Sequence, residues 1–222
     1  MRGLTLIDIK SGVSMHTVHD WDLIMSDKVI SSADPRVVKV DMADRDGDID
    51  QTEVIRGRVS YKNRALSFSF ICTAHQSTWT DLRDEIAGFV HGKLLKIIDP
   101  DTPDQYYIAR CTLEEPTFKG SAIMFLTIVG DAQPYRQDIV ETVVEKSVSV
   151  GDTVRLVNKT MPVVPTITVS ADISISFGAY STALASGSTY RIPEITLERG
   201  VNEFAITGGS GVITFSYRQG VI

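Results

Sequence analysis

From residue 148 to the C-terminus, apolar side chains fall on every second position in one short run after another: Val148/Val150, Val154/Leu156, Ile167/Val169, Ile173/Ile175/Phe177, Ile195/Leu197, Phe204/Ile206 and Ile213/Phe215/Tyr217. Successive side chains of a strand point to opposite faces, so this period fits half-buried strands, and no helical stripe runs through it. Turn formers cut the runs at Ser186-Gly187-Ser188, at Glu198-Arg199-Gly200-Val201-Asn202 and at Gly208-Gly209-Ser210-Gly211. Short alternating segments punctuated in this way predict an all-β sandwich.

The first two thirds of the chain mix two periods. Strands are expected over residues 4–9, 36–42, 94–98, 106–113 and 123–129, and an antiparallel pair over 53–61 and 65–74, with Leu66, Phe68, Phe70 and Cys72 on one face and Ser67 and Ser69 on the other. One segment departs from this pattern. Trp79, Leu82, Ile86, Phe89 and Val90 recur at spacings of three and four, Ser77 and Thr78 stand where a cap belongs, and Gly92 follows, which predicts a helix near 78–91 covering the sheet. The expected class is mainly β: an α+β N-terminal domain of antiparallel sheet with one covering helix, over 1–140, then a β-sandwich over 141–222.

Charge supports that division. Residues 149–222 hold five basic and five acidic residues, so the whole net charge of −6 lies before them. No cluster of Lys and Arg exists to track phosphates, which argues against nucleic-acid binding or attachment to an anionic membrane surface. No long uncharged apolar run suits membrane insertion, and Asp8 and Lys10 interrupt what would be the apolar core of a signal peptide, so synthesis in a cytoplasm without a cleaved leader is expected. Cys72 and Cys111 lie in alternating segments and read as small buried side chains, although a bridge between them is open.

Candidate sites thin out under inspection. Residues 44–53, Asp-Arg-Asp-Gly-Asp-Ile-Asp-Gln-Thr-Glu, place carboxylates at alternate positions as a calcium loop does, but the glycine and the terminal glutamate are misplaced for an EF-hand. Asp46-Gly47 is a strong turn signal instead. His16 and His19 lack flanking zinc ligands, His75 and His91 have no nucleophile motif beside them, and Gly208-Gly209-Ser210-Gly211 lacks the Lys-Ser/Thr of a phosphate loop. No catalytic, cofactor-binding or metal-binding residue is therefore assigned, and an enzyme is not expected. The main alternative is a carbohydrate-binding sandwich acting in recognition of a host surface, with Tyr180 and Tyr190 as stacking rings, and the next is a hydrolase whose carboxylate pair nothing singles out among 28 acidic residues.

Arg45-Asp46-Gly47-Asp48-Ile49-Asp50, followed by Tyr61-Lys62-Asn63-Arg64, resembles the GRDGxID … YxNR pattern of the distal tail proteins of long-tailed bacteriophages. The resemblance extends to Trp79 opening the helix, to Gly92-Lys93-Leu94, to Tyr107-Ile108-Ala109-Arg110, and more weakly to Pro165-Thr166-Ile167, residues 195–202 and residues 213–220. It departs at Ala43-Asp44, where the family often has Pro-Gly. What it implies is a galectin-like fold for the C-terminal domain and a structural hub at the virion tail tip. In such a hub, N-terminal domains close a homohexameric ring that joins the tail tube and the tape-measure end to baseplate and receptor-binding proteins. An acidic N-terminal domain would then line a channel from which DNA is repelled. On this reading Arg45, Asp46, Asp50, Tyr61 and Arg64 brace the acidic loop or meet the neighbouring subunit.

Overall fold

The computed structural model describes residues 2–54, 57–120 and 123–222, and it divides into two compact units, Met1–Arg136 and Gln137–Ile222. The first unit carries 20 acidic and 16 basic residues and the second 8 and 6. The acidic excess expected wholly in the first part is thus shared, because Asp138, Glu141 and Glu145 belong to the second unit.

In chain order the first unit contains β1 (Thr5–Asp8), β2 (Ser14–His16), α1 (Thr17–Trp21), β3 (Leu23–Ile30), β4 (Lys39–Val40), β5 (Ile49–Asp50), β6 (Arg64–Cys72), α2 (Trp79–Val90), β7 (Leu94–Ile98), β8 (Gln105–Leu113), β9 (Thr117–Lys119) and β10 (Ile123–Ala132). The main sheet is antiparallel in the order β2-β1-β7-β8-β10-β6-β3, with β9 also paired to β10. Alternation in β6 has the expected outcome: Arg64, Leu66, Phe68, Phe70 and Cys72 are buried and the serines between them less so. β10 runs beside it from Met124↔Cys72 to Ala132↔Arg64. Cys111 sits against Gly130 on the other side of β10, six residues from Met124, or ~20 Å at ~3.3 Å per residue. The two cysteines are therefore free, buried thiols, and burial pushes that of Cys111 up to about 12.

Helix α2 lays Trp79, Ile86 and Val90 on the sheet, with Leu82 and Phe89 packed against the same core, and Gly92 ends it at φ +76. Its start differs from expectation. Thr78 donates its hydroxyl to His75 O (2.8 Å) instead of capping the helix, and the turn at Gln76–Thr78 is capped by His75, whose Nδ1 accepts from Ser77 N. The short helix α1 was not legible in the sequence. His16 Nδ1 accepts the amides of Val18 and His19 and so caps it, and Asp22 closes it in the left-handed region. Trp21, wholly buried, donates Nε1–H to Glu85 (3.0 Å) and meets Phe89 edge-on, fastening α1 to α2.

A charge cluster ties the N-terminus to the β7–β8 turn. Arg2 and Lys28 both donate to Asp101, and Lys28 also pairs with buried Asp99. The Arg2 hydrogen bond, then that of Lys28, holds the Asp101 carboxyl down to about 2 from an ordinary 3.8. A depressed folded value stabilises above the unfolded value and is lost as pH falls through the folded one. Melting temperature should therefore drop between about pH 4 and about pH 2. Asp101→Asn should lack that portion of the drop, and added salt should shrink the difference because the group is exposed.

The remaining strands are β11 (Arg136–Asp138), β12 (Thr142–Val148), β13 (Thr153–Asn158), β14 (Thr166–Val169), β15 (Ile173–Phe177), β16 (Tyr180–Leu184), β17 (Thr189–Tyr190), β18 (Gly200–Gly208), β19 (Gly211–Tyr217) and β20 (Gly220–Val221). Two antiparallel sheets, β12-β19-β14-β17 and β13-β18-β15-β16, contribute to one core and form a sandwich. Phe204 stacks on Phe177 and contacts Phe215, both at 4.7 Å between centroids. Buried Asn202 shapes the 198–202 turn by donating to Glu198 O and Gly200 O and accepting from Glu198 N. The β18–β19 turn requires glycine at 209: φ is +77, and an added Cβ would lie 2.0 Å from Asp172 O. Gly209→Ala should cost about 3 kcal/mol, combining left-handed strain with a forced backbone shift, measured as a lower urea midpoint at unchanged slope.

Candidate functional site

Between β3 and β6 the chain leaves the sheet as a two-stranded arm. Its base is clamped by the Pro35↔Tyr61 bridge and by Arg36 N donating to Ser60 O (2.7 Å) and Lys62 N to Asp34 O (2.8 Å). Farther out, β4 and β5 pair as Lys39↔Asp50 and Val40↔Ile49. Asp44 (φ +66) and Gly47 (φ +77) turn the tip, where Asp-Gly chemistry predicts a turn. Val37, Val38, Val40 and Met42 are exposed along the arm, although alternation over 36–42 predicts a longer strand with a covered face. The antiparallel partner expected from 53–61 does not form among the described residues. β6 is hydrogen-bonded to β3 on one side and β10 on the other, so it offers no free edge. The described residues of 53–61 are turns and the Tyr61 bridge; residues 55 and 56 lie outside the described residues.

The five residues singled out in the sequence occupy different places. Arg45 and Asp46 are exposed at the tip. Asp50 accepts Thr52 N (2.9 Å), and the Thr52 hydroxyl and amide hold its carboxyl below the ordinary carboxylate value. Tyr61 stands at the arm's base with its ring edge-on to Tyr135. Arg64 lies in the sheet, 7% exposed, its guanidinium 5.7 Å from the centre of the buried Tyr107 ring. Arg136 approaches the same ring at 6.0 Å. The Nε atoms of both arginines are buried without a partner among the described residues. Tyr107 and Arg136 were missed as site residues, since their meeting with Arg64 depends on the order β8-β10-β6, which periodicity alone does not reveal.

In the second unit Tyr180 and Tyr190 are half-buried against the core, and the Tyr190 hydroxyl accepts Ala185 N (2.7 Å). An open cleft of about 590 Å³ is lined by Met161, Pro162, Val163, Arg191, Pro193 and Tyr217. Among the described residues no group of three His, Cys, Asp or Glu side chains is placed to hold a metal ion, and no helix is long and apolar enough to cross a membrane.

No family model matches the chain, and no curated protein matches it in sequence. A solved structure does. The crystal structure of the SPP1 Dit (gp 19.1) protein, described as a paradigm of the hub adsorption apparatus in phages that infect Gram-positive hosts, aligns with a TM-score of 0.64 and 18% identity. The alignment covers 97% of this chain and 98% of that one, so the chain, through both units, has the fold of that phage hub protein.

Proposed function

We propose that this chain is a structural component of a bacteriophage tail tip, a hub whose N-terminal units close a homohexameric ring. The ring joins the tail tube and the tape-measure end to the adhesion apparatus. The observation that carries this reading is the fold match to the SPP1 hub protein, which covers 97% of this chain and 98% of that one. The motif residues 45–50 and 61–64 agree with it, because the first set tips an exposed arm and the second marks its root. Among the described residues such an arm has two open β edges and uncovered valines, which a neighbouring subunit in a ring can cover.

The second unit, with its cleft beside Arg191, faces baseplate or receptor-binding proteins in this reading. Sugar stacking needs an open ring face, and Tyr180 and Tyr190 spend part of theirs on the core. Net negative charge in the first unit fits a lumen through which DNA passes without adhering. Antibody against the purified chain, carried on gold particles, should label virions at the tail tip alone; label along the tail tube or on the capsid would overturn the assignment.

A further inference from the structure

We infer that Arg64 and Arg136, sharing the Tyr107 ring, form a receptor for the carboxylates of the acidic arm tip of a second copy of this chain. The inference rests on the ring-forming reading above. Burying a guanidinium removes its water, and a tyrosine face replaces only part of that stabilisation. Arg64 is 7% exposed, yet its Nε and that of Arg136 find no acceptor among the described residues. The nearby carboxylate of Asp131 is engaged by Asn63 (2.9 Å). Two cations on one ring leave a site that is complete only when an anion enters, and a carboxylate matches the planar donor fork of arginine.

The chain itself carries the complementary group. Asp44 and Asp46 are exposed at the arm tip with no ion pair among the described residues, and Asp48 has only a 3.9 Å contact to Lys39. Val37, Val38, Val40 and Met42 are uncovered behind the tip, so an arm laid on a neighbour buries apolar surface together with the charge contact. Receptor and tip are different surfaces of one unit, which makes the contact head-to-tail, the kind that closes rings.

The test uses native mass spectrometry of the full chain. Variant one is Arg64→Met/Arg136→Glu, and variant two is Asp44→Lys/Asp46→Lys. Each alone should need at least tenfold more protein than wild type for half-assembly. Mixed in equal amounts they should assemble again, and in complexes with an even number of subunits, because only alternation pairs opposite charges. Arg64→Met alone should keep or raise the melting temperature of the free chain while weakening assembly; a merely structural arginine would lower that temperature. Assembly of either double variant at the wild-type concentration, or no recovery on mixing, overturns the receptor and leaves the ring reading intact. A wild-type chain that stays monomeric at every concentration overturns both.

Discussion

Phe204→Ala should unfold the second unit ~15–30 °C below wild type and leave the melting of the first unit where it is. Phe204 is wholly buried between Phe177 and Phe215, rings from the two facing sheets of the sandwich. Removing a core phenylalanine costs about 4 kcal/mol, from lost transfer energy and the cavity left behind. In a unit of this size each kcal/mol moves the midpoint by ~4–8 °C. The two cores share no residue, so scanning calorimetry should resolve two transitions and see only one of them move. A single transition displaced as a whole would mean that the units melt cooperatively.

Trp21→Ala should have the mirror effect, lowering the first transition by a comparable amount. The indole fills the junction of α1 with α2 and the sheet, and its Nε1–H is the partner of Glu85. Truncation opens a cavity and removes the hydrogen bond to Glu85, about 4 kcal/mol in all and mostly from the cavity, because the exposed Glu85 carboxylate turns to water. Trp21→Phe separates the two contributions. It retains most of the apolar volume and the edge contact to Phe89, loses the hydrogen bond, and should recover more than half of the stability lost by Trp21→Ala.

The sequence was most informative where a single period runs uninterrupted. Alternation at Leu66, Phe68, Phe70 and Cys72 and the three-four spacing at Trp79, Leu82, Ile86 and Val90 are each imposed by one buried face, so pattern and structure coincide there. It misled where β propensity had no partner to satisfy it. Val37, Val38 and Val40 read as a strand, but β4 is two residues long because, among the described residues, only β5 pairs with it. Residues 53–61 suggested the other half of a hairpin with β6, whose edges β3 and β10 already fill. Helix α1 escaped notice because its cap is a histidine ring nitrogen, outside the usual Ser, Thr, Asp and Asn signals.

The site shows the same division. The Asp46-Gly47 turn was readable from local chemistry, since glycine accepts the positive φ that the tip demands. The setting of Arg64 was not. The sequence places it in the connection between 53–61 and 65–74, whereas the structure makes it the first residue of β6, and pairing across β10 and β8 sets it over Tyr107 with Arg136, a residue 72 positions away. Non-local meetings of this kind follow from strand order, which a sequence without relatives leaves open.

Negative-stain class averages of the purified chain, over a range of concentrations, test whether it closes into a six-membered ring. Rings of six-fold symmetry around an open centre are expected, with a native mass six times that of the 24.4-kDa chain. Particles that remain monomeric at every concentration, or closed assemblies without a central opening, would contradict the ring.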